Sequence, residues 1–219
     1  MPNRPPITSI DTRTAAFIGH IPGADAGPGS VYHLRGWPDF NAIARLLPRS
    51  GRSWNHLAHA VRGFFLNGGD HCLVVESPTG DPRHLGAALA ALAADTDVAT
   101  IAAPGLTTPA AYTALVDHCE SRGDRLAILD GPATPGADHL KVMAGQSAAA
   151  ADGWQMPPAA PGGYAAIYVP WLRVADPEGA PGATVLVPPS GHIAGAWARN
   201  DAHQGVHKAP ANLELIGAT

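Results

Sequence analysis

The sequence of 219 residues predicts an α/β fold, with a mostly parallel sheet and helices on both of its faces. Two observations carry this. Short, predominantly apolar runs, such as CLVVE at 72–76, VATIA at 98–102 and LAIL at 126–129, read as strands buried on both faces. Longer segments with apolar residues at helical spacing lie between them, and strands alternating with helices give parallel sheets with right-handed crossovers. The 25 Gly and 22 Pro add many breaks, so the connections are short.

In chain order, residues 1–13 read as an extended arm, and Thr14–Gly19 (TAAFIG) as the first strand. A Pro/Gly/Asp loop over 21–30 leads to a second strand at Val31–Arg35. Trp37, Phe40, Ala44 and Leu47 recur at helical spacing and stop at Pro48 and Gly51. Leu57, Val61, Phe64 and Phe65 form the next stripe, which Asn67-Gly68-Gly69 is placed to end. After the strand at 72–76, Leu85, Leu89 and Leu92 mark a helix. After the strand at 98–102, Thr108-Pro109 supplies a cap and a proline at the first helical position. That helix carries Tyr112, Leu115, Val116 and Cys119, and Gly123 closes it. The strand at 126–129 precedes an Ala-rich helix around Leu140 and Met143, and a Pro/Gly linker at Met156–Gly163. Ala165–Val169 is the last clear strand; Val185–Pro189 is a short strand entering a turn, and Gly191–His203 is helical.

Composition narrows the function. A net charge of −4 offers no basic face for nucleic acid. No run of 18 apolar residues is present to span a membrane, and the first residues lack the apolar core of a secretory signal, so the expectation is a soluble protein made in the cytoplasm. Cys72 and Cys119 each sit inside an apolar element and read as reduced core thiols.

Candidate chemistry is sparse. Neither a phosphate-cradling loop nor a dinucleotide fingerprint occurs; Gly19-His20-Ile21-Pro22-Gly23 fits neither spacing nor context. An α/β hydrolase using Ser190 and His192, with Asp201 or His207 near in sequence, is the competing reading, but the string Pro188-Pro189-Ser190-Gly191-His192 lacks the G-x-S-x-G elbow. Ser190 is better explained as a helix N-cap. His192, His203 and His207 partly match metal-ligand spacing, yet no Cys or Glu completes a set, so no metal or other cofactor is expected. Asp124, Arg125, Asp130 and Asp138 surround the strand at 126–129. Asp130 lies where α/β enzymes place catalytic groups, but with Gly131-Pro132 after it and no partner base it reads as structural.

Four strings are more specific. AVRGFFLNGGDHCLVV (60–75), RLAILDGP (125–132), YAAIYVPWLRV (164–174) and VPPSGHIAGAWARNDAHQGVHKAPAN (187–212) resemble, in order and spacing, segments of contractile phage tail sheath proteins. The resemblance runs over about residues 14–217. It implies a sheath-like α/β domain over 14–205 and an extended strap over 206–219, cut short relative to a family that continues into a C-terminal arm. It implies a structural subunit around an inner tube, in a phage tail or phage-tail-like injection system. The partners would be other sheath subunits, the tube protein and the baseplate, with no nucleic acid, membrane, cofactor or catalytic residue involved. The short chain is then expected to need a fuller sheath protein to join a tube. Within it, Tyr168, Trp171 and Trp197 are candidate anchors for the last segments, and Gly195 and Gly205 permit close backbone approach.

Overall fold

The computed structural model describes residues 12–22, 27–44, 54–78 and 82–219. Six strands form one sheet in the order β2-β3-β1-β4-β5-β6. They are β1 (Thr14–Gly19), β2 (Val31–Leu34), β3 (Cys72–Glu76), β4 (Val98–Ala102), β5 (Leu126–Asp130) and β6 (Ala165–Tyr168). All neighbours run parallel except β2, which pairs antiparallel with β3 at one edge. A separate antiparallel pair, β7 (Leu172–Ala175) and β8 (Thr184–Val187), stands beside it. The expected arm falls almost entirely on residues 1–11, and the expected end of the first helix at Leu47–Gly51 also lies outside the described residues.

The period of two along each strand sorts side chains between two cores. Ala16, Ile18, Leu73, Val75, Ala127 and Leu129 face one core, closed by α3 (Pro82–Ala91), α4 (Pro109–Arg122) and α5 (Ala137–Met143). Ala15, Phe17, Cys72, Val74 and Ile128 face the other, closed by α1 (Trp37–Ala44), α2 (His56–Leu66) and α6 (Ser190–Gln204). Burial on both sides is why these strands read as mostly apolar runs. Both thiols are buried and unpaired, and burial pushes Cys119 up to about 12 and Cys72 well above the ordinary range.

Local signals act as the sequence predicts in α4: Thr108 Oγ1 accepts from the Ala111 amide at 3.3 Å, and Gly123 ends the helix at φ 66°. Arg125, 2% exposed, locks the start of β5 to the end of the α3 segment. It donates to Asp124 (2.8 Å) and to the carbonyls of Leu92 (3.1 Å) and Asp95 (2.6 Å). Together with Arg122 it holds the Asp124 carboxyl down at about 2.

The long connection after α5 is not a free linker throughout. Trp154 is buried in it, and its indole Nε1 donates to the Tyr112 hydroxyl at 3.0 Å. That hydroxyl in turn donates to the Asp130 carbonyl at 2.6 Å. Among the last elements, one strand carries no clear signal in the sequence. Leu172–Ala175, which carries no clear strand pattern, becomes β7 because Thr184–Val187 supplies its partner.

Candidate functional site

Residues from the four distinctive strings meet where α2 packs along α6 on one face of the sheet, with the start of α6 at the carboxyl end of β5. The crossing is close because it is built from glycine. A Cβ on Gly191 would stand 2.3 Å from the Ala60 carbonyl oxygen, and one on Gly195 would stand 2.3 Å from that of Phe64. On the facing helix, a Cβ on Gly63 would meet the His192 ring at 2.4 Å. Gly205 has a different use from Gly195. It ends α6 at φ 82°, a region open mainly to glycine.

The NGG string ends α2 and ties it to the closing segment of the chain. Asn67 is fully buried; its Nδ2 donates to the carbonyls of Gly63 (2.9 Å) and Ile216 (3.1 Å), and its Oδ1 accepts from the Ile216 amide (2.8 Å). Arg199 of α6 donates to the Asn67 carbonyl at 2.9 Å and to the Glu214 carbonyl at 2.6 Å. A Cβ on Gly69 would strike the Phe64 ring, so a larger residue there would force that buried ring to move.

At the other end of α6, Asp130 fills the role of a cap. Its carboxylate accepts from the Ser190 amide (2.9 Å), the Ser190 hydroxyl (2.9 Å) and the Gly105 amide (3.0 Å). Ser190 is therefore not the N-cap. Pro189 occupies that position without a side-chain bond, and Ser190 is the first helical residue, held by a carboxylate from β5. The physical demand is the same, since the first amides of a helix need acceptors. Burial pushes the Asp130 carboxyl up to about 6, opposed by the bonds from Gly105 and Ser190.

Hydrolase chemistry finds no footing here. Ser190 is fully buried, its hydroxyl is committed to Asp130, and no hydrogen bond joins it to His192 among the described residues. His192 is itself buried, with an Nδ1 that has no hydrogen-bond partner. Asp201 accepts from the Thr12 hydroxyl at 2.8 Å. Among the described residues no three His, Cys, Asp or Glu side chains are arranged to hold a metal. Asp138 sits at the start of α5, where it accepts from the Ala151 amide at 2.8 Å.

The aromatic anchors seat the β6–β7 corner on this arrangement. Trp171 Nε1 donates to the Gly131 carbonyl at 2.9 Å, and the Tyr168 and Trp197 rings meet edge to face at 6.2 Å. What the geometry builds is a mechanical joint, in which β5, α2, α6 and the closing segment are fastened to one another.

Residues 79–219 match the phage tail sheath protein central domain. This chain belongs to the phage tail sheath family. Solved structures add the fold. The helical sheath of the anti-feeding prophage in its contracted state matches at TM-score 0.68 and 22% identity, over 100% of this chain and 56% of that one. A chain of the anti-feeding prophage baseplate in its contracted state matches at TM-score 0.71 and 21% identity, over 100% and 58%. The contracted sheath complex of PVC, an extracellular contractile injection system, matches at TM-score 0.66 and 23% identity, over 93% and 49%. The chain thus spans about half the length of the solved chains it matches. No curated protein matches it.

Proposed function

We propose that this chain is a structural subunit of a contractile sheath that surrounds an inner tube, in a phage tail or a phage-tail-like injection system, and that it performs no reaction. The match of residues 79–219 to the sheath central domain carries the reading. The joint at α2 and α6 supports it, because the groups that α/β enzymes would place at the strand ends are spent there on fastening.

A rigid block of this kind makes a filament when it meets copies of itself through a heterologous interface that does not close. The outer edge of β7 is suited to such a contact. Val174 already pairs with Ala218, and the Arg173 carbonyl accepts from the Thr219 amide at 2.9 Å, so this edge takes an added strand. Neighbouring sheath subunits are the partners proposed for it, with the tube and baseplate proteins as the other contacts. Energy for contraction would reside in subunit contacts laid down at assembly, with no cofactor consumed. Sedimentation after co-expression with a tube and baseplate set tests the proposal: the chain should pellet with the particles and should crosslink to sheath and tube proteins. A chain that stays in the supernatant without crosslinks would overturn it.

A further inference from the structure

The connection that follows α6 is a built projection. The Lys208 amide donates to the Gly205 carbonyl at 3.1 Å, closing one turn, and the Asn200 side chain holds the Lys208 carbonyl at 2.8 Å. A second, tighter turn has Pro210 at its centre, where the Ala211 amide donates to the Ala209 carbonyl at 2.8 Å. Beyond it, Arg199 holds the Glu214 carbonyl. Between these fastenings, residues 206–212 keep their side chains in solvent, and Val206 is 68% exposed. The segment carries Lys208 and His207, and no Asp or Glu occurs from 202 to 213.

Elsewhere on the molecule lies an open cavity of about 510 Å³, room enough for several side chains. Gly105, just after β4, and Pro132–Thr134, just after β5, place it at the carboxyl ends of the strands. Trp154, Trp171 and Asp152 complete its wall. Both indole N–H groups are spent inside the fold, on the Tyr112 hydroxyl and the Gly131 carbonyl, so the tryptophans bring apolar ring to the wall. No Lys or Arg lines it. The Asp152 side chain is 61% exposed, and His139 bridges it at 3.1 Å to Asp138 at 3.3 Å, so the charge there is acidic.

Helix α6 sets projection and cavity apart. Its first residue, Ser190, is bonded to Asp130 at the carboxyl end of β5. In its last turn Asp201 accepts from Thr12, which lies ahead of β1. Its 15 residues span about 22 Å, so the projection leaves from the amino ends of the strands. Within one chain the two cannot meet.

We propose that residues 206–212 form a plug that seats in the Trp154–Trp171 cavity of a second copy, with Lys208 against Asp152, so that copies stack end to end. The chemistries match: Val206, Ala209 and Pro210 meet tryptophan ring, and the cation meets the acidic wall. A plug already held in its turns loses little freedom on docking. Plug and socket are different surfaces, so the contact is heterologous and repeats as a stack. This goes beyond the sheath reading; it needs only copies of this chain and can fail while that reading stands.

Sedimentation velocity of the full chain over a concentration series tests it. Association should proceed past the dimer as concentration rises, and should weaken with added salt. Lys208→Glu should weaken it about tenfold or more, as should Thr134→Arg, which puts a bulky cation at the socket. Neither native side chain makes a hydrogen bond among the described residues, so both variants should keep the wild-type Tm. Cysteine crosslinking gives a second reading that tolerates a misfolded Thr134→Arg chain, since Cys72 and Cys119 are buried. A short bismaleimide should join Val206→Cys chains to Thr134→Cys chains in a mixture but neither to itself, and the doubly substituted chain should give a ladder of oligomers. A chain monomeric at every concentration, a Lys208→Glu chain that associates as tightly as wild type, a mixture without crosslinks, or Val206→Cys chains that join each other would each overturn the proposal.

Discussion

Replacing Gly195 by alanine isolates the closeness of the α2–α6 crossing. The added Cβ would sit 2.3 Å from the Phe64 carbonyl oxygen, 2.9 Å from the Asn67 Cβ and 3.0 Å from the Phe64 carbonyl carbon. Two of these three obstacles are backbone, so the helices must part; no side chain can simply swing away. Overpacking costs about 1–3 kcal/mol and more where the backbone must move. Alanine recovers about 1 kcal/mol of helix propensity. Taking the upper part of that range, the net loss is about 2 kcal/mol, which in a chain of this size lowers Tm by roughly 4–8 °C. Urea denaturation followed by tryptophan fluorescence measures it. Gly86→Ala in α3 is the control, since nothing lies within 4 Å of its Cβ. That variant should gain about 0.5–1 kcal/mol. A Gly195→Ala chain as stable as wild type would refute the claim that glycine sets this crossing.

Asp130 gives the fold a pH dependence of a particular sign. Its carboxyl, raised to about 6 from 3.8, holds its proton more tightly in the folded chain, so its contribution is greatest at acid pH and declines as pH rises through 6. The stability difference between wild type and Asp130→Asn should therefore shift against wild type by up to about 3 kcal/mol from pH 4 to 7, measured by urea titrations at each pH. A difference that is flat with pH would contradict this. Ser190→Ala should cost about 1–3 kcal/mol through the lost bond to Asp130, and neither it nor wild type should turn over a panel of esters; activity abolished by that variant would contradict the structural role. Arg125→Met leaves the Leu92 and Asp95 carbonyls without their donor, while Arg122 still holds Asp124, and should lower stability by about 1–3 kcal/mol in the same denaturation assay.

Much of the sheet is legible in the sequence because burial on both faces leaves an unmistakable mark. CLVVE, VATIA and LAIL are apolar at nearly every position, with Glu76 and Thr100 the exceptions, and Thr108 and Gly123 bracket α4 by purely local chemistry. The hidden parts are decided by partners remote in sequence. Leu172–Ala175 is too mixed to declare itself, and becomes β7 only because Val185 and Leu186 arrive alongside. Trp154 sits in a Pro/Gly-rich stretch, and only the Tyr112 hydroxyl shows why it is buried. Local chemistry alone makes Ser190 a cap. The need for a cap is real, but the acceptor comes from Asp130, sixty positions earlier. The joint itself is visible in the sequence only as four unexplained strings. Their glycines and Asn67 have no periodicity to betray them, because each answers to a backbone atom on another element.

Electron cryomicroscopy of particles assembled with this chain present tests the central claim most directly. The account predicts density for the six-stranded sheet and its α2–α6 joint, repeated helically in the layer outside the tube. Particles whose sheath layer contains no such density, while the chain remains dispersed in solution, would contradict it.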